Sequence, residues 1–313
     1  GIVMNRKKQH ASIMLLLIMF TNLSGCLSVN DENNKEDSQA NYSDTASLST
    51  QCIEFEQIER CWLLLVPGNL SVTESVPLVL DLHGHGGSSE SQHEMSGFAN
   101  LAVEEKFIVA YPQGYENFWG INIDGVDNDL DEVGFLMTII ETIVDTYPID
   151  EKSVYMTGWS NGCMMTQLFA VETQNVLASA GCMSGYLMTD APPTYTAPIP
   201  FMEVHGVLDE TVNYVDNTHT TMFYFQNIAG LNKGAIQNLD YWADLNGCNG
   251  IAPELITINE DYDIRGYSQC DSSAEVRLMS LFAAGHNPYL SGNPTGTPSS
   301  AILWDFMSQF TIE

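Results

Sequence analysis

The sequence predicts an α/β domain, a mainly parallel sheet with helices on both faces. Three observations carry the prediction. Short apolar runs of β-type composition alternate with stretches of helical periodicity from Trp62 onward. One such run ends at Thr157 and passes through Gly158-Trp159-Ser160-Asn161-Gly162 into an amphipathic segment, a strand–turn–helix setting. Two later runs each end in a short loop bearing an acid or a histidine.

The elements follow in order. Residues 62–66 read as a strand closed by Pro67, and 78–82 and 107–111 as two more. A helix is expected over 131–146, where Val133, Leu136, Met137, Ile140 and Ile143 or Val144 recur at helical spacing and acids crowd the N-terminal end. Residues 153–157 form the next strand. The helix after Ser160 buries Met164, Met165, Leu168 and Phe169. Strands over 177–183, 200–204 and 276–282 precede a last helix over 299–310, carrying Ile302, Leu303, Phe306, Met307 and Phe310 inward.

The N-terminal part is of another kind. Met4 reads as the start, Arg6-Lys7-Lys8 as a positive n-region, and 13–20 as an apolar stretch too short to span a bilayer. Leu23-Ser24-Gly25-Cys26 resembles the lipobox of prokaryotic lipoproteins, in which the cysteine receives lipid; the alternative is an ordinary cleaved signal. Residues 1–25 are therefore expected to be a signal peptide, Cys26 a lipidation site, and 26–50 a polar, acidic tether too poor in apolar residues to fold. The folded domain is expected over 51–313.

Ten basic residues face forty acidic ones, a net charge of -30, and loss of the signal segment makes the balance more negative still. Such a surface repels nucleic acid and anionic headgroups, so the expected contact with a membrane is through a lipid anchor alone. Of seven cysteines, six remain beside Cys26, an even number suited to an oxidising compartment. Cys248 and Cys270 bracket a polar excursion and Cys52 and Cys61 a turn-like segment; both are expected to pair. Cys163 and Cys182 either pair or stay as buried hydrophobes. No Cys-x-x-Cys or His cluster has metal-ligand spacing, and no cofactor is implied.

The chemistry centres on G-x-S-x-G. Its glycines permit a turn so tight that a Cβ on either side would clash, and the turn projects Ser160 from the head of a helix. A serine hydroxyl needs a neighbouring imidazole to take its proton. In this architecture, the α/β-hydrolase fold, partners follow in the chain order Ser, acid, His, each beyond a strand end. Asp209 and His286 occupy those places, with Glu210 the rival acid. His83-Gly84-His85-Gly86-Gly87 follows the strand ending at Leu82, where the oxyanion loop is expected, with backbone N–H groups of His85 and Asn161 as donors. His83 and His205 are expected to make structural hydrogen bonds. The acids Asp124, Asp127, Asp129, Asp131 and Glu132 lack the spacing of a calcium-binding EF-hand and read as a solvated loop capping the next helix.

Together these blocks resemble the polyhydroxybutyrate depolymerase and feruloyl esterase-like family of α/β-hydrolases over residues 62–310. The resemblance rests on PLVLDLHGHGG (77–87), AYPQG (110–114), DEVGF (131–135), VYMTGWSNGCMM (154–165), HGVLDETVNY (205–214), WADLNGC (242–248) and Gly285-His286. It implies a secreted serine esterase acting on polyester, feruloylated or acetylated polysaccharide, or small acyl esters, through Ser160, Asp209 and His286. It also implies a Cys248–Cys270 disulfide flanking the histidine loop, and Trp119 as an aromatic of the substrate cleft. Trp159 stands where the family carries a smaller residue, and Asn287-Pro288-Tyr289 where Trp-Pro is common; both lie beside the expected acyl pocket and bear on substrate identity. The segments 186–198 and 217–234 are expected to form its rim. Two other readings stay open: a serine peptidase of the same fold, and a non-catalytic surface-binding lipoprotein on a hydrolase scaffold.

Overall fold

The computed structural model describes residues 46–313 apart from 69, 71–73, 122–126, 193 and 216–233. The expected signal peptide, Cys26, the tether up to residue 45, Asp124 and the rim segment 217–233 lie outside the described residues. The elements run β1 (Ala46–Phe55), β2 (Ile58–Pro67), β3 (Val76–Leu82), α1 (Ser89–Met95), α2 (Phe98–Glu105), β4 (Ile108–Pro112), α3 (Glu132–Thr146) and β5 (Ile149–Gly158). Then follow α4 (Asn161–Glu172), β6 (Ser179–Met183), β7 (Phe201–Gly206), α5 (Ala235–Leu245), β8 (Glu254–Ile258), β9 (Tyr262–Tyr267), β10 (Val276–Leu281) and α6 (Ser299–Met307).

The strands form one sheet in the order β1-β2-β4-β3-β5-β6-β7-β10-β9-β8. From β4 to β10 every neighbouring pair is parallel, and an antiparallel ribbon closes each edge, β1–β2 on one side and β9–β8 on the other. The expected mainly parallel sheet with helices on both faces is what the chain forms.

Side-chain alternation divides the core in two. Leu78, Leu80 and Leu82 of β3, with Ile108 and Ala110 of β4, pack against α3, α4 and α5 through Phe135, Ile139, Leu168 and Trp242. The intervening Val79, Val109 and Tyr111 face the opposite side, against Phe98 and Ala102 of α2 and Leu303, Trp304 and Phe306 of α6. Helix α4 is buried on every side from Asn161 to Val171, not only along the stripe expected for it. It is therefore enclosed, and its N-terminal end is held firmly in place.

The tether boundary needs correction. Strand β1 begins at Ala46, inside the stretch 26–50 expected to stay unfolded. All four residues from Ser47 to Thr50 are exposed, so the polarity of Ser47, Ser49 and Thr50 reports an edge position and not an inability to order. Pairing with β2 along its whole length supplies the backbone hydrogen bonds, with Cys52 opposite Cys61.

Candidate active site

Three loops at the C-terminal ends of parallel strands meet at one place. The first is the turn from β5 into α4. Ser160 has φ 56° and ψ -117°, a conformation costly for a residue with a Cβ. The surroundings over-determine it. A Cβ on Gly158 would lie 2.7 Å from the Gly162 carbonyl, and one on Gly162 would collide with the Leu82 carbonyl oxygen and come within 2.6 Å of that of His83. Strand β3, the turn and the helix thus approach more closely than any side chain allows. The Ser160 N–H donates to the Met183 carbonyl at 2.8 Å, tying the turn to β6.

The loop after β10 brings His286, whose Nε2 lies 2.9 Å from Ser160 Oγ. Its Nδ1 lies 2.8 Å from Asp209 Oδ2 in the loop after β7. Asp209 Oδ1 accepts the N–H groups of Thr211 and Val212 at 2.8 and 2.9 Å. Burial raises the Asp209 pKa, but hydrogen bonds from His205 and His286 outweigh it and hold the carboxyl well below the usual range. It is therefore an anion that can orient His286 and stabilise a proton on it. Glu210, the rival acid, is exposed.

Sequence reasoning missed what stands behind Asp209. Glu203 Oε1 lies 2.5 Å from His205 Nδ1, and His205 Nε2 lies 2.8 Å from the Val212 carbonyl and 3.3 Å from Asp209 Oδ2. Asn238 of α5 donates to Glu203 Oε2 at 2.6 Å. A signal for the pair exists: Glu203 and His205 are two apart in an otherwise apolar strand, so they share one face.

The loop after β3 supplies the fourth wall. His83 is buried and neutral, its pKa lowered to about 4 by burial. Its Nδ1–H donates to the Gly84 carbonyl at 2.8 Å while its Nε2 accepts the Gly114 N–H at 2.9 Å. The Gly86 N–H donates to the Asn117 carbonyl at 2.7 Å, fixing the loop on which exposed His85 sits. Asn161, as the first residue of α4, has a backbone N–H with no intrahelical acceptor.

The expectation for Trp119 needs revision. Its side chain is fully buried, and its indole N–H donates to the His83 carbonyl at 3.0 Å. Its backbone is bound to Asn161, so the ring braces the loops from inside and does not line an accessible cleft. Trp159 is half-buried beside Ser160; its indole N–H donates to the His286 carbonyl at 2.7 Å. Its ring fills the space that a Cβ on Gly84 would enter, 2.9 Å away. Of the expected rim, Tyr186 and Leu187 are fully buried and belong to the core.

All three cysteine pairs are bonded: Cys52–Cys61 across the β1–β2 ribbon, Cys248–Cys270, and Cys163–Cys182, the pair the sequence left open. The last joins the first turn of α4, just after Ser160, to β6. Among the acids before α3, Asp131 caps the helix by accepting the Gly134 N–H at 2.8 Å. Glu132 is buried against Arg60 at 2.7 Å.

A family model described as Esterase PHB depolymerase matches residues 60–236, more than half of the chain. A bifunctional acetylxylan esterase/xylanase from Neocallimastix patriciarum is 26% identical over 251 residues, 79% of this chain and 33% of its own length. Feruloyl esterase B from Piromyces equi is 25% identical over 252 residues, 79% of this chain and 44% of its own. The chain thus spans about a third of one relative and under half of the other. In structure it is similar to an acetyl xylan esterase from Aspergillus awamori, with a TM-score of 0.55 and 19% identity over 77% of this chain and 94% of that one. The likeness shows the shared α/β-hydrolase fold.

Proposed function

The chain belongs to the esterase PHB depolymerase family, and from that membership we propose that it hydrolyses carboxylic esters through an acyl-enzyme on Ser160. The observation that carries the reading is the continuous hydrogen-bonded line from Ser160 Oγ through His286 to Asp209. In this reading Ser160 Oγ attacks the ester carbonyl carbon while His286 Nε2 takes its proton. Asp209, already ionised, holds the ring and stabilises the imidazolium. The negative charge gathering on the carbonyl oxygen meets the N–H groups of His85 and Asn161. His286 returns the proton to the departing alcohol as the C–O bond breaks. Water then repeats the sequence on the acyl-enzyme, releasing the acid and restoring Ser160.

The names of the relatives direct the substrate class towards acyl esters on polysaccharide, such as acetyl or feruloyl groups, and the family description towards polyesters. Trp159, beside Ser160, is the side chain we assign to the acyl pocket. The reading includes a location outside the cytoplasm, supported by three disulfides, with attachment through lipid on Cys26.

The test is release of p-nitrophenol from a short-chain acyl ester by the wild type and by Ser160→Ala. Activity that disappears in a folded variant supports the reading, and a panel of acetylxylan, feruloyl and polyhydroxyalkanoate substrates then fixes the acyl group. A wild type inert towards that panel as well as the small ester would end it.

A further inference from the structure

The line of hydrogen bonds does not stop at Asp209. His205 on β7 is fully buried, and each ring nitrogen faces acceptors. At Nε2 these are the Val212 carbonyl and Asp209 Oδ2. A carbonyl oxygen can only accept, so Nε2 carries a hydrogen. At Nδ1 the partner is Glu203 Oε1, and the other oxygen of that carboxylate already accepts from Asn238. Burial raises the Glu203 pKa, but donors on both of its oxygens, His205 and Asn238, favour the anion and leave the shared proton on His205. The ring plane of Tyr186 stacks on the imidazole, 5.5 Å away and 12° from parallel, and Tyr214 meets it edge-on at 5.8 Å. A stacked aromatic face also favours a cation.

We propose that His205, clamped between Glu203 and Asp209 as an imidazolium, is a positioning residue that fixes the aim and the charge of the carboxylate serving His286. The proposal rests on the esterase reading given above. Four donors surround the Asp209 carboxylate: two backbone N–H groups on Oδ1, and the two imidazoles on Oδ2. Oδ2 is therefore held between His205 and His286, facing the ring it orients. Burial alone would lower the His205 pKa, but the hydrogen bonds to Asp209 and Glu203 raise it well above the ordinary range.

The ionisable groups facing His205 are Glu203 on its own strand, Asp209 and His286 from the loops after β7 and β10, and Tyr186 and Tyr214. Asp263 and Arg265 of β9 act from behind Tyr214.

Two variants, His205→Gln and Glu203→Gln, test the proposal through the steady-state kinetics of ester hydrolysis. Each is expected to lower kcat by about ten- to a hundredfold with KM changed little, a loss of orientation and not of binding. That split, kcat falling while KM holds, is the readout that a purely structural role would not produce. A measurement on the unaltered protein covers the case in which a variant fails to fold. In protein labelled with 15N-histidine, the His205 ring is expected to keep both nitrogens protonated at about pH 8, where an ordinary imidazole is neutral. A neutral His205 ring there, or folded variants with wild-type kcat, would overturn the proposal while leaving the esterase reading intact. An inert wild type would instead remove that reading and this proposal with it.

Discussion

The side-chain amide of Asn161 engages both backbone polar atoms of Trp119: its Oδ1 accepts the Trp119 N–H at 2.7 Å and its Nδ2 donates to the Trp119 carbonyl at 2.9 Å. The residue next to Ser160 is thereby bonded to the loop after β4, whose tryptophan in turn bonds the His83 carbonyl after β3. Three loops around the site are therefore tied together by hydrogen bonds. Asn161→Ala would leave a buried N–H and a buried carbonyl unpaired, and is expected to cost about 2–4 kcal/mol. Denaturant unfolding measures this. A variant as stable as the wild type would show that the two bonds carry no structural load.

Trp159 offers a finer probe. Trp159→Phe keeps a ring against Gly84 and removes the indole N–H that donates to the His286 carbonyl. The expected result is a stability loss of about 1 kcal/mol and a several-fold lower kcat, since the histidine loop loses one of its anchors. Unchanged kinetics would mean that packing alone holds His286.

Asp81 gives a pH prediction. It lies fully buried on β3, and burial raises its pKa to about 7 against hydrogen bonds from Ser96 and Gln92. The folded chain then keeps a proton that the unfolded chain, with the ordinary value of 3.8, has released. The Asp81 contribution to stability is full below that ordinary value, falls as the pH rises towards about 7, and stays lost above it. Asp81→Asn cannot ionise. Its stability relative to the wild type is expected to grow by up to about 1.4 kcal/mol per pH unit through that window and to level off beyond it. A difference independent of pH would refute the assignment.

The Cys163–Cys182 bond closes a loop with a sequence separation of 19. Replacing both residues by alanine is expected to cost about 3 kcal/mol, mainly through a freer unfolded chain. Guanidinium unfolding of the double variant measures it. The Ser160 turn leads directly into α4, one of the two bonded elements, so activity is expected to be lost before the rest of the domain unfolds.

The central strands were legible because burial on both faces writes them as apolar runs. The edges were not. In β8 every residue from Glu254 to Ile258 is exposed, and β1 is mostly polar, so neither carries the pattern that marks a covered strand. Helix α1 is seven residues long and polar, too short for periodicity to register. At the site, chain order after strand ends pointed to Ser160, Asp209 and His286, whose side chains the fold brings within hydrogen-bonding distance. Trp119 shows the opposite case. Whether an aromatic lines a cleft or braces one from within depends on tertiary partners, here Asn161 and His83, that no local pattern reveals.

The separation of Ser160 from His286 is 126 residues, and the two meet only once β10 has paired with β7. No nascent chain that lacks the last parallel strand can bring them together, so the hydroxyl stays unreactive while the protein is being made. Labelling of Ser160 by a serine-directed organophosphonate therefore times the completion of folding: its onset during refolding marks the docking of β10, independently of any spectroscopic signal from the core.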